Sequence, residues 1–355
     1  HLFELKTNVP PANLLETPDH FQRNIEQVQH LLDNMDARLM PTAMHPWMNP
    51  FKETRLWTHD SREIYETYDR IFNCQGHGWS NLQSMHINLP FANDREFARL
   101  HSAIRILLPI LPAIAASSPI AESSFTGMMD TRLEAYRQNA KAIPSITGLV
   151  IPEPVNSKQA YEQQILAPMY RDVSPHDPDK ILQEEWLNSR GAIARFDRNA
   201  IEIRVLDTQE TVYADLAIAA LVIEISKLLS QQHWSSSTQQ DRLDTAILSA
   251  ILNSTIHYAD QAVIDNREYL ALFHFPDKRC SAQELWYYLR ESVELHPDHY
   301  HASANDNIDF ILRHGPLARR IINATGTGVK KSRLEESYRV LCDSLQQGHL
   351  FVGID

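Results

Sequence analysis

Residues Ala200 to Asp207, AIEIRVLD, alternate in the manner of a strand. Ile201, Ile203 and Val205 fall on one face, and Glu202, Arg204 and Leu206 on the other. The first face is apolar enough to pack on a core. The second carries an acid and a base side by side, which a strand tolerates where that face is wet or covered by a ligand. A solvent-facing ion pair of little energetic consequence gives the same pattern.

Similar patterns recur elsewhere. His1 to Thr7, HLFELKT, predicts a short strand with Glu4 and Lys6 on one face, ended by Pro10 and Pro11. Leu82 to Leu89 predicts a strand with Ser84, His86 and Asn88 on one face and Met85, Ile87 and Leu89 on the other. Helical spacing predicts helices over Thr17 to Asp36 and Ser61 to Asn73, with Thr17 as the cap of the first. A long helix is expected from Asn93 and Asp94, interrupted at Pro109, Pro112 and Pro119. Beyond Thr211 the pattern is mostly helical: 214–229, 243–258, 281–295, 305–322 and 332–345, the last stopped by Gly348. The stretch near 154–190 reads as a peripheral excursion on a single catalytic domain covering 1–355.

Composition narrows the function. The chain has 355 residues, 22% of them charged, and a net charge of -12. An acidic surface argues against a nucleic-acid partner, because that needs clustered Lys and Arg. No apolar run is long enough to span a membrane. Cys74, Cys280 and Cys342 are too few and too dispersed for a disulfide framework or a zinc motif, which suits a reducing, cytoplasmic setting. No P-loop, G-x-G-x-x-G or G-x-S-x-G motif is present.

If the three alternating strands share a sheet, Glu4, His86 and Glu202 converge as two carboxylates and an imidazole. Such donors suit Mg²⁺ or Mn²⁺. Arg204 beside them suits a phosphoryl group, because a planar guanidinium neutralises charge at fixed geometry. A one-sided antiparallel sheet with a solvated face produces the same alternation. Arg132 is a candidate for gripping a substrate carboxylate, with a helix-surface charge pair as the other reading. His45, in Met44-His45-Pro46-Trp47, is a candidate substrate contact or an orienting residue. His296, Asp298, His299 and His301 have only a weak zinc-like spacing.

LQSMHINLPF, RILLPILPAIAASSPI, GMMDTRLEAYRQN and AIEIRVLDTQE, in this order, resemble the glutamate–cysteine ligase type 2 family. ELKT at Glu4 to Thr7, MHPW at Met44 to Trp47 and ILRHGPLARRI at Ile311 to Ile321 also fit. The resemblance implies an α+β, glutamine-synthetase-like fold, with a curved antiparallel sheet forming a funnel and helices on its outer face. It implies an ATP- and Mg²⁺-dependent ligase joining an amino-acid carboxylate, glutamate first, to an amine such as cysteine through an acyl phosphate. Carried over residue by residue, Glu4, His86 and Glu202 stand as metal ligands and Arg204 as the phosphate-stabilising residue, with Asn88 beside it toward the nucleotide. The partners implied are ATP and amino acids, with homo-oligomerisation open. The family's opening G-x-E-x-E strand has no counterpart here and is expected upstream of residue 1. The alternative is a nucleotide- or amino-acid-binding homologue that has lost turnover.

Overall fold

The computed structural model describes residues 2–354. Helices predominate, and the described strands form small antiparallel sheets of three, two and two strands. The three-stranded sheet consists of β1 (Ser84–Pro90), β4 (Ala192–Arg195) and β5 (Ala200–Asp207), in the order β1-β5-β4. The two hairpins are β2 (Ile120–Ala121) with β3 (Ser124–Phe125), and β6 (Val263–Ile264) with β7 (Cys280–Ser281).

The apolar face of the main sheet is buried as its alternation predicts. Ile87, Leu89, Ile201, Ile203 and Val205 join one core with Ile104, Leu107, Leu111, Ile218 and Leu221. These partners come from the helix Asp94–Leu107, its continuation through the prolines, and the helix Val212–Ser230. Asn93 caps the first helix by accepting from the Glu96 amide at 3.1 Å, while the Glu96 carboxylate accepts from the Ala92 amide at 2.8 Å. One amide of the first turn and the amide just before the cap are thereby satisfied. Pro109 and Pro112 fall at the first positions of the short helical turns Leu108–Ile110 and Pro112–Ala115. A missing N–H costs little there, so the chain bends without leaving the core.

Four expectations change. The predicted N-terminal strand does not form over residues 2–7, and His1 lies outside the described residues. Leu2 and Phe3 are 61% and 47% exposed, and among the described residues no strand pairs with this segment. A strand without a neighbour leaves its N–H and C=O groups to water. The third strand is instead β4, whose four residues AIAR are too short to show a period. The stretch 154–190 is not peripheral: Tyr161, Ile165, Met169, Val173, Leu182 and Leu187 are all fully buried in the main core. The helix expected over 305–322 is two helices, Ala304–His314 and Leu317–Thr325, separated by Gly315 in the left-handed region and Pro316.

Among the described residues no helix is long and apolar enough to cross a membrane. The three cysteines are buried and free.

His101, inside the helix Asp94–Leu107, is 1% exposed and packs on Phe97 and Tyr161 with neither ring nitrogen hydrogen-bonded. Burial, then Arg105 and Arg190, push its pKa down to about 3. Between that value and the ordinary 6.5 the unfolded chain holds a proton that the folded chain refuses, so acidification through this window favours unfolding. His101→Leu is therefore expected to flatten the fall in thermal stability between pH 6.5 and about 3. Parallel pH profiles for the two proteins would contradict this.

Candidate active-site face of the sheet

The polar face of the main sheet is built by β1 and β5. Asn88 stands directly opposite Glu202, and Ile87 opposite Ile203. Glu202 is 6% exposed, and its charge is held by three neighbours. Arg204 Nε donates to Glu202 Oε1 at 2.6 Å, His86 Nδ1 lies 3.5 Å from the same oxygen, and Arg195 Nη1 lies 3.7 Å from Oε2. His86 Nε2 is 2.8 Å from the Ser84 hydroxyl. Arg204 Nη1 reaches the Asn188 carbonyl at 3.4 Å.

The electrostatics follow from these contacts. Burial works against the Glu202 charge, but Arg204, His86 and Arg195 outweigh it and hold the carboxyl below its ordinary pKa. Burial likewise opposes the charge on Arg204, and Tyr136 and Glu202 overcome it, leaving the guanidinium more basic than usual. His86 keeps a 40% exposed side chain, yet the protein packed around it and the nearby Arg204 lower its pKa to about 4 despite the opposing pull of Glu202. The face therefore carries a fixed carboxylate–guanidinium pair beside a neutral imidazole at pH 7. An aromatic wall adjoins it: Tyr68 lies 5.0 Å from Trp79 and 6.1 Å from Trp186, ring centre to ring centre, and Tyr68 feels the Arg204 charge.

Strict alternation fails at one place. The pairing of β1 with β5 shifts between Met85 and Ile87, so that two residues of β5, Arg204 and Val205, face His86 alone. This bulge reverses the parity beyond it. Leu206, expected on the polar face, pairs with Met85 and is fully buried, while Asp207 pairs with Ser84.

Asp207 is the acid that alternation missed. Its Oδ2 accepts from the Ser117 amide at 2.8 Å and the Ser118 hydroxyl at 2.7 Å, and its Oδ1 from Arg132 Nε. Arg132 also reaches the Arg204 carbonyl at 3.3 Å through Nη1. Asp130 caps the helix Thr131–Gln138 at the Leu133 amide, 2.8 Å away, and also meets Asp207. Burial, then the Asp207 charge, push the Asp130 carboxyl well above its ordinary pKa.

The other sequence candidates fall as follows. Glu4 is exposed and outside the sheet, so it does not join His86 and Glu202. Asn88 is on the expected face and exposed. Arg132 is not a surface helix charge: it is 1% exposed and paired with Asp207. His45 is half-buried, its backbone held by the Asn81 side chain through a 2.7 Å bond from its amide and a 3.1 Å bond to its carbonyl. Its ring meets Trp47 edge-on at 5.0 Å, an orienting arrangement. His296 pairs with Asp298 and His301 with Asp19.

Among the described residues no group of three or more His, Cys, Asp or Glu side chains is placed to hold a metal ion. His86 and Glu202 supply two donors, and both Glu202 oxygens already face guanidinium groups. This donor set does not fit a magnesium site, which wants near-octahedral oxygen ligation.

Comparison with known proteins places the chain beside a family and a relative. Residues 1–331 match the model of a family described as "Glutamate-cysteine ligase family 2(GCS2)". A protein of Archaeoglobus fulgidus, described as uncharacterized, is 39% identical over 222 residues, which is 62% of this chain and 59% of that protein. The matched region thus spans less than two thirds of that relative's length.

Proposed function

The chain belongs to glutamate-cysteine ligase family 2, and on that footing we propose that it is an ATP-dependent carboxylate–amine ligase with glutamate as the favoured carboxylate. Cysteine or another amino acid is the amine, and the catalytic fold is glutamine-synthetase-like. In this reaction a carboxylate oxygen attacks the γ-phosphorus and ADP leaves. The amine nitrogen then attacks the acyl carbon, losing a proton as phosphate departs. Neither step needs a covalent protein nucleophile.

The observation that carries this reading is the Glu202–Arg204 pair, 2.6 Å apart on a polar sheet face that also presents His86 and Asn88. Arg204 is a cation fixed in direction by its Nε bond to Glu202 and its Nη1 contact with Asn188. Such a preorganised guanidinium stabilises charge as it develops on a phosphoryl or acyl oxygen without having to reorganise. Glu202 serves as its orienting partner. His86, neutral at pH 7, accepts or donates a hydrogen bond there without adding charge. No step is routed through a metal, since the described donors do not complete a site.

That incomplete donor set favours one second reading, a nucleotide- or amino-acid-binding homologue without turnover. Phosphate release from ATP, assayed with glutamate and a panel of amines in the presence of divalent cations, separates the two. Release that requires both carboxylate and amine supports the ligase. ATP binding seen by calorimetry with no release for any pair supports the second reading.

A further inference from the structure

We propose that Asp207 acts on the site without touching substrate: it is the positioning residue that, through Arg132, locks the bulge of β5 and sets the aim of Arg204. Where activity is concerned, this inference rests on the ligase reading. Its structural content does not.

The bulge must be held, because it breaks the ladder between β1 and β5 where Arg204 and Val205 share one partner. Two features hold it. On one side the Arg204 amide donates to the Gly191 carbonyl at 2.8 Å, just before β4. Gly191 is needed at that approach, since a Cβ there would lie 2.6 Å from Val205 Cγ1. On the other side Arg132 Nη1 binds the Arg204 carbonyl at 3.3 Å. Both polar groups of the Arg204 backbone are therefore anchored, one by β4 and one by Arg132.

Arg132 is in turn fixed by Asp207. The Asp207 carboxylate is fully buried and accepts three bonds, from Ser117, Ser118 and Arg132. Ser118 also receives the Arg132 amide at 3.0 Å, and its carbonyl receives the Thr131 amide at 3.1 Å. The path from Asp207 to the reactive side chain is short: Asp207, Arg132, the Arg204 carbonyl, the Arg204 side chain.

Stability alone accounts poorly for this arrangement. Well-packed apolar residues of similar volume often replace a buried ion pair without loss, and such a pair is a weak source of net stability. Arg132 Nη2 is moreover buried with no hydrogen-bond partner, a cost that a packing role would not require. What the pair supplies is direction. It carries a bond to the backbone carbonyl of the residue whose guanidinium lies nearest Glu202.

The test uses the full chain with ¹⁵N-labelled arginine, and Arg204→Lys assigns the Arg204 Nε–H resonance. In Asp207→Asn, which keeps the shape and removes the charge, that resonance is expected to shift or broaden while the melt stays cooperative. An Arg204 Nε–H signal unchanged from wild type would overturn the proposal. Should Asp207→Asn fail to fold, Ser118→Ala removes one bond to the same carboxylate and reads out the same coupling, with the same two outcomes. In the activity arm, Asp207→Asn is expected to lower kcat for phosphate release by on the order of 10²-fold, the scale of a 1 Å misplacement, with KM little changed. On an Arg204→Ala background the same substitution should add nothing, whereas additive losses would overturn the idea. A wild-type chain that releases no phosphate would defeat the ligase reading, and the resonance would still decide this one.

Discussion

Arg204→Ala is expected to leave the protein folded and to lower amine-dependent phosphate release from ATP by a barrier of about 2.7–4 kcal/mol, typical for removal of a preorganised electrostatic donor. The strand that carries Arg204 is secured from its other face, where Ile201, Ile203 and Val205 are fully buried among the helices. Losing the guanidinium therefore removes little packing from the core, although it leaves the buried Glu202 carboxylate with only His86 and Arg195 beside it, so a lower but still cooperative melt is expected. Glu202→Gln should fall in the same direction by a different route. The amide keeps the shape, but it no longer holds Arg204 at 2.6 Å through a charge-assisted bond. Arg204→Lys should recover only part of the rate, because an ammonium is a point charge without the planar fork. Phosphate release measured beside a thermal melt of each variant is the check. Near-wild-type turnover in both Arg204→Ala and Glu202→Gln would remove the proposed mechanism. Turnover that falls only as the melt falls would reduce the pair to a structural one.

The largest expected loss of stability lies away from the site, at Glu210. This residue follows β5 after Thr208 and Gln209 and is fully buried, with Oε1 accepting from Arg320 Nη1 and from the Phe351 amide at 3.3 Å. Arg320 is 4% exposed, bonds the Phe351 carbonyl at 2.7 Å and lies over the Phe310 ring. Glu210→Ala strands that guanidinium in the interior, and breaking a buried pair in this way costs about 3–5 kcal/mol. Replacing both partners, Glu210→Leu with Arg320→Met, should restore most of the loss, since no buried charge is then left alone. Denaturant unfolding of the single and double variants measures both quantities. A double variant as unstable as the single would show that the contacts to Phe351, not the charge, matter most.

Much of this was legible in the sequence because burial enforces period. The apolar faces of β1 and β5, the cap at Asn93 and the long helices after Thr211 all follow from patterns that one buried side makes obligatory. His86, Asn88, Glu202 and Arg204 share a face for the same reason. Three things were hidden. Glu4 sits in a segment whose alternation reflects no sheet, because alternation without a partner strand carries no hydrogen bonds. The four residues of β4 are too few to display a period. Asp207 lies past a bulge, and a bulge changes parity without changing composition. One signal was available: stepping by twos through Ile201, Ile203 and Val205 lands on Asp207, a charged residue on the count that points toward the core.

The bulge also determines which kinds of genetic change the strand can absorb. From Glu202 to Arg204 is an even step along β5, and from Arg204 to Asp207 an odd one, yet all three belong to one polar network. Deleting a single residue between Arg204 and Asp207 would restore a regular ladder; Asp207 would stay opposite Ser84, but the bulge that offers the Arg204 carbonyl to Arg132 would be gone, even if every remaining side chain were unchanged. The same segment can exchange one aliphatic residue for another of similar volume at modest cost. Between these two charged positions, selection therefore acts on length before it acts on identity, and relatives built on the same sheet should differ there by substitution and not by insertion or loss.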